Sequence, residues 1–132
     1  MVYTVKKSKN FLISDSQPAA IFMARRYTNI FITLTDFNNR VIVCKTAGAA
    51  GIKGSKKRKT NPQAVETIVK SLKFYFKKYN IKKVSLNMKT KITSHAFALV
   101  RYLQFFKVKV ISVKCAVAIP HSYIRGRKIR RK

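Results

Sequence analysis

Two clusters of basic residues, one internal and one at the end of the chain, have the residue types best suited to binding chemistry. The internal cluster places three glycines and five cations within residues 47–61, and the last eight residues contain six more cations. Neither cluster contains an acidic residue. Phosphates are natural ligands for such a set, because each phosphate that a cation neutralises releases counterions. The clusters therefore predict binding to a nucleic-acid backbone.

The overall charge supports the same interpretation. The chain has 132 residues, with 30 Lys and Arg against 3 Asp and Glu, and a formal net charge of +27. So few acids exclude enzymes that work through paired carboxylates, and they exclude oxygen-ligand cages for calcium or magnesium. An apolar content of 47% is sufficient for one folded domain. Such a domain repels itself unless a polyanion neutralises it, and nucleic acid or an anionic membrane surface is the obvious candidate.

The positions of the acids argue against catalysis. A two-metal nuclease site needs acids that converge from central strands and a helix. Asp36 lies in a predicted turn, Glu66 lies in the first turn of a predicted helix, and residues 83–88 and 108–119 contain no acid. The glycine-rich loop also lacks the GxxxxGK[ST] pattern that leads directly into a helix in nucleotide-hydrolysing proteins. We expect no enzyme activity, no metal and no cofactor.

The histidines and cysteines give weaker signals. His95 is expected to be a cap-region or surface residue at the start of a helix. His121 follows a proline where the core ends and the basic tail begins, so it is expected to fix the tail by a hydrogen bond or to contact phosphate. Cys44 and Cys115 lack the spacing of a zinc site and are predicted to be buried structural thiols.

Hydrophobic periodicity predicts the elements that must position the cations. Alternation predicts strands at residues 19–26, 29–35, 40–45 and 83–88, and a nearly continuous apolar run predicts a strand at 108–119 that is buried on both faces. Helices are predicted at 62–79, with Asn61 as N-cap and Pro62 at N1, and from residue 93 or 94. The predicted fold class is α/β: a mixed five-stranded sheet, in which an antiparallel meander joins parallel strands, with two packed helices.

The chain divides into three parts by composition. Residues 1–18 are predicted to be a basic irregular arm, with a cleavable targeting peptide as the alternative. Residues 19–119 are predicted to form a single domain, and residues 120–132 a basic tail. No apolar run approaches the roughly 18 residues of a membrane-spanning helix, and we expect no membrane partner.

Two phenylalanines lie off the apolar stripes of the predicted helices. Phe74 projects on the lysine-rich face of the first helix, and Phe105 projects away from the buried arc of the second. Single exposed aromatic residues are normal on protein surfaces. The alternative is that both residues anchor a neighbouring protein.

Three stretches of the chain together resemble the universal small-subunit ribosomal protein S-eleven family. The first runs from Thr46 through the glycine-rich loop to Ala64, where a Gly-Ser-basic-basic segment precedes a helix that starts with proline. The second is Tyr27-Thr28-Asn29 with the strand that leads to Asp36, and the third is Ala118-Ile119-Pro120-His121 with the basic tail. The resemblance covers about residues 19–132, and the sequence departs from the family pattern at Ser122, Tyr123, Gly126 and Lys89–Lys91.

The resemblance implies a ribonuclease H-like fold without catalysis, in a structural protein on the platform of the small ribosomal subunit near the mRNA exit. The implied partners are small-subunit rRNA and neighbouring ribosomal proteins, with mRNA nearby. The predicted RNA-binding residues lie at the start of a strand, in the loop and in the tail: Asn29, Gly48, Gly51, Lys53, Gly54, Ser55, Lys56, Lys57, Arg58, Lys59, His121, Arg125, Arg127, Lys128, Arg130, Arg131 and Lys132.

Two other functions remain as alternatives. A free architectural nucleic-acid-binding protein would have the same basic clusters, and a cationic membrane-surface protein is disfavoured because both apolar helix stripes fit a buried core. The chain is rich in Lys, Ile, Asn, Phe and Tyr, which have A/T-rich codons. This bias favours a mitochondrial ribosome, with a plastid or AT-rich endosymbiont ribosome as the alternative.

Overall fold

A computed structural model describes residues 18–89, 92–117 and 126 of the chain. The elements follow one another as β1 (Ala19–Arg25), β2 (Ile30–Thr35), β3 (Val41–Thr46), α1 (Lys56–Lys59), α2 (Pro62–Lys78), β4 (Lys83–Met88), α3 (Ser94–Phe105) and β5 (Lys109–Cys115). The five strands and the two long helices confirm the predicted α/β fold class. The short helix α1 lies in a segment predicted to be entirely loop.

The strands form a single sheet in the order β3-β2-β1-β4-β5. β1 pairs with β2 in antiparallel orientation, and β2 pairs with β3 in the same way. β1 pairs with β4 and β4 pairs with β5 in parallel orientation. The prediction of an antiparallel meander joined to parallel strands is therefore confirmed, and β1 is the strand at which the direction changes.

The helix α2 begins where the sequence predicts it to begin. Asn61 is extended, and its side-chain oxygen accepts a hydrogen bond of 3.1 Å from the backbone N–H of Gln63. Pro62 follows at the first helical position. A backbone N–H at this position has no acceptor within the helix, so proline loses no hydrogen bond there. The Asn61–Pro62 helix start therefore sets how the preceding cationic loop enters α2.

One hydrophobic core lies between the sheet and the helices α2 and α3. Alternate residues of the strands, such as Ile21, Ile32 and Leu86, are fully buried, as are Ile68 of α2 and Leu99 of α3. This alternation follows from the period of two along a strand that has one face on the core. The core holds the ends of the strands, and the residues that follow them, in fixed positions.

The structure contradicts two predictions about the sheet edges. β5 is not buried on both faces, because its Ile111 and Val113 are exposed, and it is the outermost strand of the sheet among the described residues. Cys44 and Cys115 are also exposed, so they are not buried structural thiols. Both cysteines lie in the outermost strands β3 and β5, where a β-branched sequence does not lead to burial.

The predicted arm and tail, apart from Pro18 and Gly126, lie outside the described residues. Of the helices in the part of the chain that is described, none has the length and apolar character needed to cross a membrane.

Candidate nucleic-acid interface

The glycine-rich loop begins as a compact turn. The backbone N–H of Ala50 donates to the carbonyl of Thr46 at 2.9 Å, and that of Ile52 donates to the carbonyl of Ala47 at 3.1 Å. The hydroxyl of Thr46 accepts a further bond of 3.1 Å from the N–H of Ala49. Ala47 is fully buried. The start of the loop is therefore held against the core, and the cations follow from a fixed position in the chain.

The three glycines of this loop have different roles. Gly51 and Gly54 have φ angles of +91° and +111°, which side chains of L-residues rarely adopt. The φ angle of Gly48 lies outside this range, and a Cβ built there meets only the Thr46 hydroxyl, at 3.9 Å. The conformation of the loop thus requires glycine at two of the three positions.

The basic run after Gly54 folds into the short helix α1. The carbonyl of Ser55 accepts hydrogen bonds from the N–H groups of Arg58 and Lys59, at 3.1 and 3.4 Å. This turn corrects the prediction of a continuous loop, since lysine and arginine are good helix formers. Lys57 and Arg58 are exposed, and Lys59 is half-buried.

Lys57 faces cations from another part of the chain. It lines a cleft of about 430 Å³ together with Arg25, Arg26, Tyr27 and Thr60. The two arginines lie at the end of β1 and directly after it. The topology therefore brings part of the predicted loop cluster to the carboxyl end of the central strand.

A second cleft shares the same two arginines. It has a volume of about 400 Å³, and Arg25, Arg26, Lys89, Ala116 and Val117 are among the residues that line it. Lys89 follows β4, and its backbone N–H donates to the carbonyl of Met23 at 3.0 Å. We call Arg25, Arg26, Lys57 and Lys89 the cationic edge, and none of the described residues that line the two clefts is acidic.

Three members of the cationic edge were not among the predicted site residues. Arg25, Arg26 and Lys89 lie at or just after the carboxyl ends of β1 and β4. In open α/β sheets the carboxyl ends of parallel strands share one edge, and ligands bind there. The predicted parallel pairing of the strands indicates that these residues lie at one edge of the sheet, although they do not form a run of cations in the sequence.

Asn29, a predicted RNA-binding residue, shapes the neighbouring turn. Its side-chain oxygen accepts a bond of 2.9 Å from the N–H of Ile30, and its carbonyl accepts one of 2.8 Å from the N–H of Arg26. These local bonds close the connection between β1 and β2. Asn29 thereby helps to position Arg26, whereas its contact with RNA stays a prediction.

His95 forms a hydrogen bond to the end of the loop at Thr60. Its Nε2 donates to the carbonyl of Thr60 at 2.6 Å, and the hydroxyl of Thr93 lies 3.3 Å from its Nδ1. The residue is only 5% exposed. The predicted position in the cap region of α3 is confirmed, but the expectation of a surface residue is wrong, because the imidazole joins α3 to the end of the loop.

The remaining predicted site residues are placed only in part. The structure describes the backbone of Lys56 without its side chain, and the tail residues fall outside the described part: His121, Arg125, Arg127, Lys128, Arg130, Arg131 and Lys132. Val117 lines the second cleft, so the described chain reaches the cationic edge just before the tail begins. The roles of these residues stay predictions.

The acids of the described residues lie elsewhere. Asp36 is buried, and its carboxylate accepts a bond of 2.6 Å from the N–H of Phe37. Glu66 of α2 pairs with Lys70 at 2.7 Å and accepts a hydrogen bond from the hydroxyl of Tyr102. These bonds, first from Lys70 and then from Tyr102, lower the pKa of Glu66. Within residues 18–89 and 92–117, no group of three His, Cys, Asp or Glu side chains is arranged to hold a metal ion.

Comparisons with known proteins agree on one family. Residues 19–131 match the family model described as ribosomal protein S11. The chain is 30% identical over 117 residues to small ribosomal subunit protein uS11 of Ehrlichia chaffeensis, covering 89% of this chain and 87% of that protein. It is 31% identical over 127 residues to the uS11 protein of Helicobacter pylori strain Shi470, covering 96% of this chain and 95% of that protein.

Proposed function

Because the chain belongs to the ribosomal protein S11 family, we propose that it is a structural constituent of the small ribosomal subunit that binds small-subunit rRNA through phosphate contacts. The observation that supports this function best is the cationic edge, where cations from β1, α1 and the end of β4 converge on two adjacent clefts. No enzymatic step is part of the proposal.

The geometry of the cationic edge suits a folded RNA backbone. Arg25 and Arg26 are exposed and line both clefts, so their planar guanidinium groups are available to bind phosphate oxygens in pairs. Lys57 lines one cleft and Lys89 the other, and each adds a point charge beside the arginines. Since the sheet and the bonded ends of the loop hold these groups in place, their spacing selects an RNA by its shape.

The loop and the tail extend this surface in the proposal. Arg58 is exposed beside Lys57 on α1, and Gly54 lets the chain turn into that helix with a φ angle of +111°. The predicted tail cations begin after the segment whose last described residue, Val117, lines the second cleft. We propose that loop, edge and tail contact neighbouring phosphates of the same rRNA.

The location within the cell and within the subunit is also proposed. The composition favours a mitochondrial ribosome, and the relatives compared are bacterial proteins, which agrees with a ribosome of bacterial type. The position on the platform near the mRNA exit follows from the family resemblance alone. Cryo-electron microscopy of purified small subunits tests the position directly.

Sedimentation tests the proposed function against its alternative. On a sucrose gradient of an organelle lysate at physiological salt, the chain should run with the small subunit. A free architectural nucleic-acid-binding protein would run separately from intact subunits, and this result would contradict the ribosomal function. Repeating the gradient with plastid or bacterial lysates distinguishes the proposed compartments.

A charge series tests the RNA contacts of the loop. The triple variant Lys56→Gln, Lys57→Gln and Arg58→Gln should bind small-subunit rRNA more weakly, and the log–log salt slope should flatten by roughly 0.7 to 0.9 for each lost contact. The matched control is Lys77→Gln, Lys78→Gln and Lys82→Gln, which removes equal charge from exposed residues at the end of α2 and just before β4. A loop variant that keeps the wild-type slope would show that the loop does not contact phosphate.

A further inference from the structure

Three exposed phenylalanines lie on the outer side of the helix layer, away from the sheet. Phe74 of α2 is 65% exposed, and Phe97 and Phe105 of α3 are 70% and 76% exposed. Their rings leave a large apolar area in water, because the buried residues of both helices lie on the opposite side, among them Leu72 and Leu99. Clustered exposed apolar area of this kind marks an interaction surface.

The three rings lie on two neighbouring helices. α2 and α3 pack side by side, since Tyr102 bonds to Glu66 and the ammonium of Lys73 lies 5.5 Å from the centre of the Phe106 ring. On α3, Phe97 and Phe105 are two helical turns apart, about 12 Å along the axis. A cleft of about 380 Å³ lies where the two helices begin, and Phe97 and Arg101 line it.

Cations surround these rings. Arg101 lies between Phe97 and Phe105 on the outer side of α3, and Lys70 lies one turn before Phe74 on α2. Lys77 is exposed near the end of the same helix. The carboxylate of Glu66 between the helices is already bonded to Lys70 and Tyr102. The rings and these cations, which we call the helix-layer patch, are complementary to a surface that is both apolar and acidic.

An RNA backbone fits the helix-layer patch poorly. Lys70 is paired with Glu66, and Lys73 lies over an aromatic ring, so both lysines have interactions within the chain. A phosphate backbone placed here would leave the three exposed rings in water. A protein segment with apolar side chains covers such rings, so the exposed phenylalanines favour a protein ligand over a phosphate backbone.

We propose that the helix-layer patch docks an acidic segment of a neighbouring protein that carries apolar side chains. The segment's apolar side chains cover Phe97 and Phe105, and one of its carboxylates pairs with Arg101, whose guanidinium accommodates both carboxylate oxygens. Phe74 forms the far side of the docking surface. This inference rests on the proposed function, because it places the neighbour within the small subunit.

Site-specific crosslinking in assembled small subunits tests the docking surface. A benzophenone-bearing phenylalanine analogue replaces Phe97 or Phe105, and the same analogue at exposed Lys82 is the control. We expect illumination to join positions 97 and 105 to an acidic protein segment. Crosslinks to rRNA from these positions, or no crosslink from either, would overturn the proposal.

Substitutions then test the chemistry of the contact. Once crosslinking identifies the segment, a synthetic peptide of that sequence is titrated against the full-length chain. Phe97→Ser with Phe105→Ser should weaken binding about tenfold or more, as expected for aromatic anchors. Arg101→Glu should weaken it further than Arg101→Gln, and Arg101→Lys should recover part of the affinity. Equal affinities for all Arg101 variants would exclude an acidic ligand.

The two proposals fail in distinguishable ways. A chain that sediments with the small subunit but gives no protein crosslink from positions 97 and 105 contradicts the docking surface alone. A chain that never sediments with the small subunit contradicts the proposed function and the docking surface together. Because Phe97 and Phe105 are exposed, their substitution should leave the fold intact, and circular dichroism of the variants checks this.

Discussion

The cationic edge and the helix-layer patch are both positively charged, but the neighbours of their cations differ. At the cationic edge, Arg25, Arg26 and Lys57 line clefts in which no acidic residue of the described part of the chain takes part. In the helix-layer patch, Lys70 is paired with Glu66, and exposed phenylalanine rings separate the charges. In a chain with a net charge of +27, positive charge alone does not identify an RNA-binding surface. The groups beside each cation indicate whether phosphate or protein is the better ligand.

Removing the two arginines of the cationic edge should have the largest effect. Each charged hydrogen bond is worth roughly 1.5 kcal/mol or more, so Arg25→Gln with Arg26→Gln should weaken rRNA binding about 100-fold if each makes one phosphate contact. The salt slope should flatten by about 1.4 to 1.8. Filter binding of small-subunit rRNA over a range of salt concentrations measures both quantities.

Two matched double variants sharpen this test. Lys77→Gln with Lys78→Gln removes the same charge from the end of α2, where both residues are exposed. Phe97→Ser with Phe105→Ser changes the helix-layer patch without changing charge. Both controls should keep the wild-type salt slope. A slope that flattens equally in the lysine control would show that RNA senses the total charge and not the cationic edge.

A smaller effect is expected from the glycines that shape the cationic loop. Gly54→Ala should destabilise the fold by about 1 to 3 kcal/mol, because alanine at a φ angle of +111° is strained. Gly48→Ala should change stability by less than about 0.5 kcal/mol, since its φ angle is ordinary and the added methyl has room. Urea unfolding measures both variants. A Gly48→Ala cost as large as that of Gly54→Ala would show that close packing, not backbone conformation, requires the glycines.

The smallest effect is expected at Glu66 in the helix-layer patch. Hydrogen bonds from Lys70 and Tyr102 lower the pKa of this carboxyl in the folded chain. Its contribution to stability is therefore fully present above its unfolded pKa and is lost as the pH falls through the lower folded pKa. Glu66→Gln should lower the melting temperature slightly at neutral pH, and the difference should disappear in acid. Thermal melts from pH 7 down to pH 2 measure this difference, and a gap that persists at the acid end would contradict it.

The sequence predicts the fold largely because its strong patterns agree with one another. The alternation in β2 and β4, the Asn61-Pro62 helix start and the order of strands and helices all follow from local periodicity and capping. β5 is the instructive exception. Its β-branched run is typical of a strand buried on both faces, but such burial requires other elements packed on both faces, and the local sequence does not encode what packs there.

The candidate site could be predicted only where its cations are adjacent in the sequence. The run from Lys56 to Lys59 is visible as a cluster, whereas Arg25 and Lys89 are 64 positions apart and come together through the parallel pairing of β1 and β4. The position of His95 near the start of α3 was predicted, but its burial was not, because its hydrogen-bond partner, the carbonyl of Thr60, is 35 residues away. Such long-range contacts require the tertiary structure.

The exposed edge strands have a consequence for the chain before it reaches its partners. Within residues 18–89 and 92–117, β3 and β5 each have one side without a strand neighbour, and such edges are templates for aggregation between chains. Lys45 on β3 and Lys109 and Lys114 on β5 place like charges along both edges. Two free chains that approach edge to edge therefore repel each other, so the charge that suits the chain to a polyanion also keeps newly made copies apart.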